Sequence, residues 1–405
     1  MDQGSTAFVL ICAALAFLAG LALPFLYGPG GGSGSRSLRP TALVAVAVLV
    51  LMGVLVGYAE AFGSRFAPGF AGIGGVLGID VGLIGLDSDT FSRDPAAGGA
   101  LALIAFQCAL AALGAGLVVA ALSDRFGLTG SIVFVALWAV LVYFPVVGWV
   151  LHLQWGSTGL VDGGWLVFDL RSLVGAGVLD FAGALPIHVA AGAAVLGIAV
   201  ARRPRAVGEA PARPSGSVPR TIIACAMLWA GWFGVTAGAE GAADAFAALA
   251  TVNVILTPAA ALLGWMAVER TRRERPSATG AASGAVAGLV AVTAGGAFLT
   301  PLSSLVLGAA TGVICAIVLE YLPARLRGAA GRIVAIHLVG GVFSMLYLGV
   351  FATGVGLVYA GNPTQLIAQS IGVAAVLAYS FLVSYLLAAL IALPEMRADS
   401  RRTLS

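Results

Sequence analysis

The amino-acid sequence predicts an all-α polytopic membrane protein with eleven transmembrane helices, arranged as two inverted five-helix repeats plus a final helix. Of its 405 residues, 60% are hydrophobic and 10% are charged, whereas about 25% of the residues in a typical soluble domain are charged. The chain also contains 56 glycines, which favour close helix packing because small residues let helix backbones approach one another in lipid. In such a composition, apolar runs of about 20 residues are predicted to be spanning helices.

Eleven apolar runs are long enough to span a bilayer. They lie at 5–27, 41–59, 99–121, 131–151, 181–201, 221–239, 244–268, 279–297, 302–322, 333–352 and 364–393. The first run lacks the positive residues that precede the apolar core of a secretory signal peptide. We therefore interpret it as a spanning helix, with a cleaved signal as the alternative.

The arginines predict the orientation of the chain. All 21 basic residues are arginine. With the N-terminus outside, only Arg65, Arg93 and Arg171 fall outside, and the others fall in cytoplasmic loops or the tail. Because basic residues accumulate in cytoplasmic loops, we expect an external N-terminus and a cytoplasmic C-terminus.

The longest polar linker, a predicted cytoplasmic segment at 202–220, divides the chain near its middle. A first repeat at 1–201 contains five spans, so a second repeat of similar structure at 221–352 would be inserted upside down. The remainder is an external loop and the eleventh helix at 353–393, followed by a short cytoplasmic tail at 394–405.

A short motif occurs in both the fifth and the tenth run. IHVAAG begins at Ile187 and IHLVGG at Ile336, and each places a histidine four residues before a glycine. His188 and His337 thus occupy equivalent places in the two repeats, which predicts that they face each other across one central site. Desolvation would keep both imidazoles neutral. The alternative is two unrelated core histidines, each hydrogen-bonded to its own neighbours.

Three acidic residues lie close to predicted helix ends. Asp180 precedes the fifth helix and is expected to cap it, since the positive end of the helix dipole favours a carboxylate. Glu240 and Asp244 fall in the turn between the sixth and seventh helices, where a solvated external turn is the simpler interpretation.

The sequence contains no metal-ligand cluster, phosphate-binding loop or nucleophile constellation. The four cysteines lie in four different runs and are interpreted as free buried thiols. We therefore expect a channel or transporter in a lipid bilayer rather than an enzyme, with no cofactor, no metal and no nucleic-acid partner.

Five stretches, in order, resemble the ammonium transporter family (Amt/Mep/Rh). They are FQCALAALGAGLVVAALSDR from Phe106, DFAGALPIHVAAG from Asp180, LWAGWFGVTAGAEGAADAFAALATVN from Leu228, PSATGAASGAVAGLVAVTAGGA from Pro276 and IHLVGGVFSMLYLGVF from Ile336. The resemblance implies a homotrimer in the bacterial plasma membrane, with a narrow hydrophobic pore through each protomer. Ammonium would be deprotonated at an external vestibule, and ammonia would then pass the two pore histidines, His188 and His337.

The resemblance also assigns residues around the pore. Phe106 and Trp155 match vestibule aromatic residues, whose ring faces attract cations. For Trp155, a place in the tryptophan belt at the membrane interface is the alternative. Asp180 matches an aspartate that supports the structure.

Other positions depart from the family pattern. Leu110 and Val235 stand where the family has two gate phenylalanines, and Ala239 replaces a vestibule serine, so we expect weak external binding of ammonium. Arg332 stands where an acidic residue usually precedes the second histidine by five positions. The tail lacks the extended region that often binds a P-II signalling protein, so such a regulator is not expected.

Two other functions remain open at this point. The lost serine and gate rings would suit a Rh-like channel for a neutral gas, ammonia or carbon dioxide. An ammonium-sensing receptor that acts through a separate cytoplasmic partner is the other, and a proton-coupled carrier of another small solute is a residual possibility.

Overall fold

The computed structural model describes residues 1–27, 35–63, 70–73, 77–86, 98–122, 125–150, 164–201, 218–273, 275–323, 326 and 328–403. Within these residues, eleven helices are long and apolar enough to cross a membrane. In chain order, α1 to α11 span Gln3–Tyr27, Leu43–Ala61, Gly98–Leu122, Leu128–Val150, Ala184–Ala201, Val218–Gly238, Ala245–Arg272, Ala278–Phe298, Pro301–Tyr321, Ala329–Phe351 and Thr364–Ala392. The prediction of eleven spanning helices is confirmed.

Three of these spans belong to longer helical segments. The helix of α2 begins at Ser35, that of α7 ends at Arg273, and that of α11 continues to Thr403. The α6 helix begins at Val218, inside the segment predicted as a linker, because Pro219 is tolerated in the first turn, where its missing N–H would have no partner.

Short elements connect the spans. Strands β1 at Phe70–Ile73 and β2 at Leu77–Asp80 pair antiparallel, and a 3-10 segment follows at Val81–Leu86. Short helices lie at Phe168–Val174 and Leu357–Ala360. The hairpin is an addition to the predicted all-α fold, and its four-residue, glycine-containing strands are too short to produce a clear alternating pattern.

The helix contacts of the first half recur in the second half. In the first repeat, α3 packs against α1, α2 and α5, and α2 also packs against α4. In the second, α8 packs against α6, α7 and α10, and α7 also packs against α9. The helices α1 and α6 pack against each other. This correspondence between the two halves supports the inverted-repeat arrangement.

Four spans contain a π-helical turn, and two of these turns carry the histidines. They lie at Gly53–Gly57, Ala139–Tyr143, Ala184–Val189 and Val334–Val339. Such turns are rare in helices and occur frequently at functional sites. The matching turns in α5 and α10 therefore indicate a functional site around the two histidines.

Candidate functional site

His188 and His337 face each other at the centre of the bundle. Their side chains have no solvent exposure. The two Nδ1 atoms lie 3.2 Å apart, and the ring centroids lie 5.1 Å apart with the planes inclined by 47°. This distance is at the upper end of the range for a hydrogen bond between two nitrogens, so one Nδ1 donates a proton and the other accepts it.

The glycine of each IH-motif lets α5 and α10 approach closely. A Cβ atom on Gly192 would lie 2.7 Å from Cβ of Leu338, the residue after His337. A Cβ atom on Gly341 would lie 3.1 Å from Cγ2 of Val189, the residue after His188. Each glycine therefore makes room for the residue next to the opposite histidine, which explains why the motif occurs in both helices.

Thr293 of α8 connects His188 to Trp232. The Trp232 indole Nε1–H donates to the Thr293 hydroxyl oxygen at 2.9 Å, and the same oxygen lies 3.3 Å from Nε2 of His188. The Thr293 hydroxyl in turn donates to the carbonyl oxygen of Leu289 at 2.9 Å. The hydroxyl group thus holds two buried aromatic side chains on one side of the histidine pair.

Tyr27, the last residue of α1, occupies the other side of the pair. Its hydroxyl lies 2.8 Å from Nε2 of His337, and the two rings meet edge to face with centroids 5.6 Å apart. Tyr27 and Thr293 were not predicted to belong to the site. Each is a single polar residue in an apolar run, which by itself does not indicate a function.

These contacts favour one direction of hydrogen bonding through the site. The Thr293 hydroxyl lies closer to the carbonyl oxygen of Leu289, at 2.9 Å, than to Nε2 of His188, at 3.3 Å, so its proton is donated to Leu289. The Thr293 oxygen therefore accepts from Nε2–H of His188. Nδ1 of His188 then accepts from Nδ1–H of His337, and Nε2 of His337 accepts from the Tyr27 hydroxyl. Both rings are satisfied in the neutral form, with each nitrogen making one hydrogen bond.

Asp180 caps the helix that carries His188. Its Oδ1 accepts the backbone N–H groups of Gly183 and Ala184 at 3.1 and 2.7 Å, and its Oδ2 accepts that of Leu185 at 2.7 Å. Gly183 adopts a left-handed conformation with φ of 89°, which glycine allows without strain. The carboxylate therefore satisfies three otherwise unpaired donors at the start of a buried helix.

A cavity of about 70 Å³, partly open to solvent, is lined by three of the residues assigned to the vestibule and gate. These are Phe106, Leu110 and Ala239. Val235 is fully buried in α6 and is not among the lining residues. Trp155 lies outside the described residues.

The same cavity has aromatic walls that the sequence analysis did not identify. Tyr58, Phe62 and Phe181 line it, and the first two rings stack with centroids 5.4 Å apart. Ala182, also in the lining, donates its backbone N–H to the carbonyl oxygen of Thr293 at 3.0 Å. The cavity therefore lies next to the residue that holds His188.

Acidic residues lie in the turn beside this cavity. Glu240 directly follows Ala239 and is partly buried, and burial together with the charge of Asp244 raises the pKa of its carboxyl group. Asp244 accepts the backbone N–H groups of Phe246 and Ala247 and caps α7. Asp244 thus has a structural role, whereas Glu240 is a partly buried carboxyl group close to the cavity.

The four cysteines are free thiols, but they are not all buried as expected. Cys12 and Cys315 are buried, whereas Cys108 and Cys225 are partly exposed. Among the described residues, no three side chains of the histidine, cysteine, aspartate and glutamate types are placed to hold a metal ion.

Comparison with known proteins gives a consistent family match. Residues 7–401 match the family described as the Ammonium Transporter Family. The chain is 32% identical to an ammonium transporter of Mycobacterium tuberculosis (strain ATCC 25618 / H37Rv), over 96% of this chain and 84% of the relative. It is 31% identical to an ammonium transporter of Bacillus subtilis (strain 168), over 97% and 93% of the two chains.

Solved structures share the fold along nearly the whole chain. A sensor Amt protein superimposes with a TM-score of 0.82 at 25% identity, covering 96% of this chain and 93% of that one. Candida albicans Mep2 superimposes with a TM-score of 0.75 at 24% identity, covering 96% and 84%.

Proposed function

The chain belongs to the ammonium transporter family, and from this we propose that it moves ammonia through a narrow hydrophobic pore lined by His188 and His337. Ammonium enters the external vestibule, one N–H bond breaks with its electron pair left on nitrogen, and the proton stays with water outside. Neutral ammonia then passes the histidine pair. The observation that carries the proposal is the 3.2 Å contact between two fully buried imidazoles.

Deprotonation before entry follows from the cost of desolvation. An isolated ammonium-sized ion in a medium of low dielectric constant costs on the order of 20 kcal/mol in the Born limit. A neutral amine costs far less, and a hydrogen-bonding partner compensates part of that cost. The imidazole nitrogens of His188 and His337 supply such partners by exchanging their existing hydrogen bonds with the passing ammonia.

The residues around the vestibule support binding of a cation before this step. Phe106, Tyr58 and Phe62 line the cavity, and the face of an aromatic ring attracts a cation by about 0.5–2 kcal/mol. Glu240 adds negative charge close by. Ammonium recruitment therefore does not depend on the serine hydroxyl that Ala239 lacks.

We further propose that the protein works in the bacterial plasma membrane, with its N-terminus outside, as a homotrimer in which each protomer has its own pore. The distribution of arginine supports the orientation. The bacterial relatives support the location in a bacterial plasma membrane, since they match nearly the whole chain.

Uptake into liposomes tests the function. Purified protein is reconstituted, and uptake of labelled methylammonium is compared with that of protein-free liposomes, with and without a membrane potential. We expect protein-dependent uptake that falls at least about tenfold in His188→Ala and in His337→Ala, because each loses the hydrogen-bonding pair. Uptake equal to that of protein-free liposomes would contradict the proposal.

A second candidate function is ammonium sensing, which the similarity to a solved sensor Amt protein favours. In a sensor, ammonium binds in the vestibule without crossing. It would raise the unfolding temperature of the purified protein with an apparent affinity that Phe106→Ala weakens, while liposome uptake stays at background.

A further inference from the structure

Arg332 lies close to the end of the hydrogen-bonded line that runs through the histidines. It belongs to the first turns of α10, five residues before His337. Its guanidinium carbon Cζ lies 5.7 Å from the centre of the Tyr27 ring, and the Tyr27 hydroxyl lies 2.8 Å from Nε2 of His337. A single tyrosine ring therefore separates a fixed positive charge from the histidine pair.

The charge of Arg332 has little compensation. Its Nε is buried and has no hydrogen-bond partner. Among the described residues, the groups that act on it electrostatically are Tyr27 and the guanidinium of Arg220, a second positive charge. The ion pair between Arg272 and Glu320 does not include Arg332.

We infer that Arg332 keeps positive charge off the His188–His337 pair, so that this pore passes ammonia without its proton. The inference rests on the proposed function and assigns the charge selectivity of that pore to one residue. A proton that followed ammonia would have to reside for a time on one of the two imidazoles or on a solute next to them. The nearby guanidinium raises the free energy of each of these states, whereas it leaves neutral ammonia almost unaffected.

The size of this effect follows from Coulomb's law. At a separation of about 10 Å and an effective dielectric constant of about 20, two like charges repel enough to lower the population of the charged state more than about tenfold. An acidic residue at this position, the type usual for the family, would act with the opposite sign. Conversion of arginine to aspartate should therefore change charge movement more than conversion to a neutral residue.

The experiment measures charge and ammonia separately in the same liposomes. Full-length protein is reconstituted, and a jump in ammonium chloride is applied. Capacitive current on a solid-supported membrane reports moved charge, and an entrapped pH dye reports luminal alkalinisation by ammonia. Both signals are expressed relative to protein-free liposomes, for the wild type, Arg332→Lys, Arg332→Gln and Arg332→Asp.

We expect the wild type and Arg332→Lys to alkalinise the lumen with little moved charge. In Arg332→Gln and more strongly in Arg332→Asp, moved charge should rise about tenfold or more while alkalinisation falls, because the proton now enters with ammonia. A structural defect would lower both signals together, so changes in opposite directions identify an effect of charge.

Three outcomes would overturn the inference. If the wild type moves as much charge per ammonia as Arg332→Asp, the residue does not set charge selectivity, although the proposed function stands. If both signals fall together in the uncharged variant, Arg332 has a structural role. If the wild type gives neither signal above protein-free liposomes, the proposed function fails and the inference fails with it.

Discussion

Trp232 lies parallel to His188, with the ring planes inclined by 10° and the centroids 5.7 Å apart. Both rings direct a nitrogen at the hydroxyl oxygen of Thr293, at 2.9 Å from Trp232 and 3.3 Å from His188. The Thr293 hydroxyl therefore orients both rings. It bonds to each of them, and the stacked tryptophan further restricts the histidine. The stacked pair and its shared acceptor form one wall of the site.

Thr293→Val should reveal the importance of this acceptor. Valine has nearly the same shape but leaves the N–H groups of Trp232 and His188 without a partner, at about 1–3 kcal/mol for each buried donor. We expect a lower unfolding temperature and at least about tenfold slower uptake in liposomes. Thr293→Ser keeps the hydroxyl and serves as the control. Wild-type uptake in the valine variant would show that the hydroxyl does not position His188.

The two motif glycines should differ in their sensitivity to alanine. A Cβ atom on Gly192 meets Cβ and the backbone nitrogen of Leu338 at 2.7 and 2.8 Å, whereas the nearest atom to one on Gly341 is the side-chain Cγ2 of Val189 at 3.1 Å. Overpacking against backbone costs about 1–3 kcal/mol. Gly192→Ala should therefore lower the unfolding temperature more than Gly341→Ala.

Gly98→Ala provides the matched control for these variants, since a Cβ atom there would contact none of the described residues within 4 Å. Equal unfolding temperatures for all three variants would contradict the close approach of α5 and α10. Liposome uptake of the same variants would show whether the added methyl group also separates His188 from His337, since separation should slow uptake.

The spanning helices and the histidine pair could be predicted from the sequence because their signals are local. An apolar run marks each helix, and the repeated IH-motif marks His188 and His337 as equivalent. Asp180 lies only four residues before Ala184, where its helix begins, so capping is also a local expectation. In each case the informative residues are neighbours along the chain.

The partners of the histidines could not be predicted because they come from distant helices. Tyr27 is 310 residues from His337 along the chain, and Thr293 is 105 residues from His188. A lone hydroxyl in an apolar run has no periodic pattern that would identify its partner. The aromatic walls of the vestibule were missed for the same reason, since Tyr58 and Phe181 approach Phe106 only in the folded bundle.

Tyr27→Phe tests whether the tyrosine hydroxyl competes with ammonia for His337. The hydroxyl occupies Nε2 of that ring, and a hydrogen bond of this kind contributes a net 0.5–1.5 kcal/mol. Its removal should speed uptake about two- to tenfold. Tyr347→Phe, which removes a hydroxyl bonded to Ser303 instead, should leave uptake unchanged. If Tyr27→Phe slows uptake as much as His337→Ala does, the hydroxyl orients the ring rather than blocking it.

Ala239→Ser tests the vestibule by restoring a hydroxyl. Ala239 lines the cavity together with Phe106, and a hydrogen bond to a charged group contributes about 1.5–3 kcal/mol. The half-saturating concentration of ammonium should fall about tenfold or more. Ala100→Ser adds a hydroxyl elsewhere in the same lining and should have a smaller effect. An unchanged half-saturating concentration in the first variant would mean that ammonium is not held at Ala239.

Glu240 should make recruitment of ammonium depend on the external pH. Its pKa is raised by burial and by Asp244, so it loses its charge at a higher pH than an ordinary glutamate as the solution is acidified. When uptake is measured over a range of ammonium concentrations at each pH, the half-saturating concentration should therefore rise as pH falls through this raised pKa. Glu240→Gln should show the low-pH value at every pH.

The stability of the protein should respond to the same titration with the opposite sign. Because folding raises the pKa of Glu240, the folded state holds this proton more tightly than the unfolded state. The free energy of unfolding therefore decreases as pH rises through the folded pKa, while recruitment improves. Asp244→Asn, which keeps a capping side chain but removes the neighbouring charge, should move both midpoints to lower pH. Midpoints that do not move in this variant would mean that another group titrates at the vestibule.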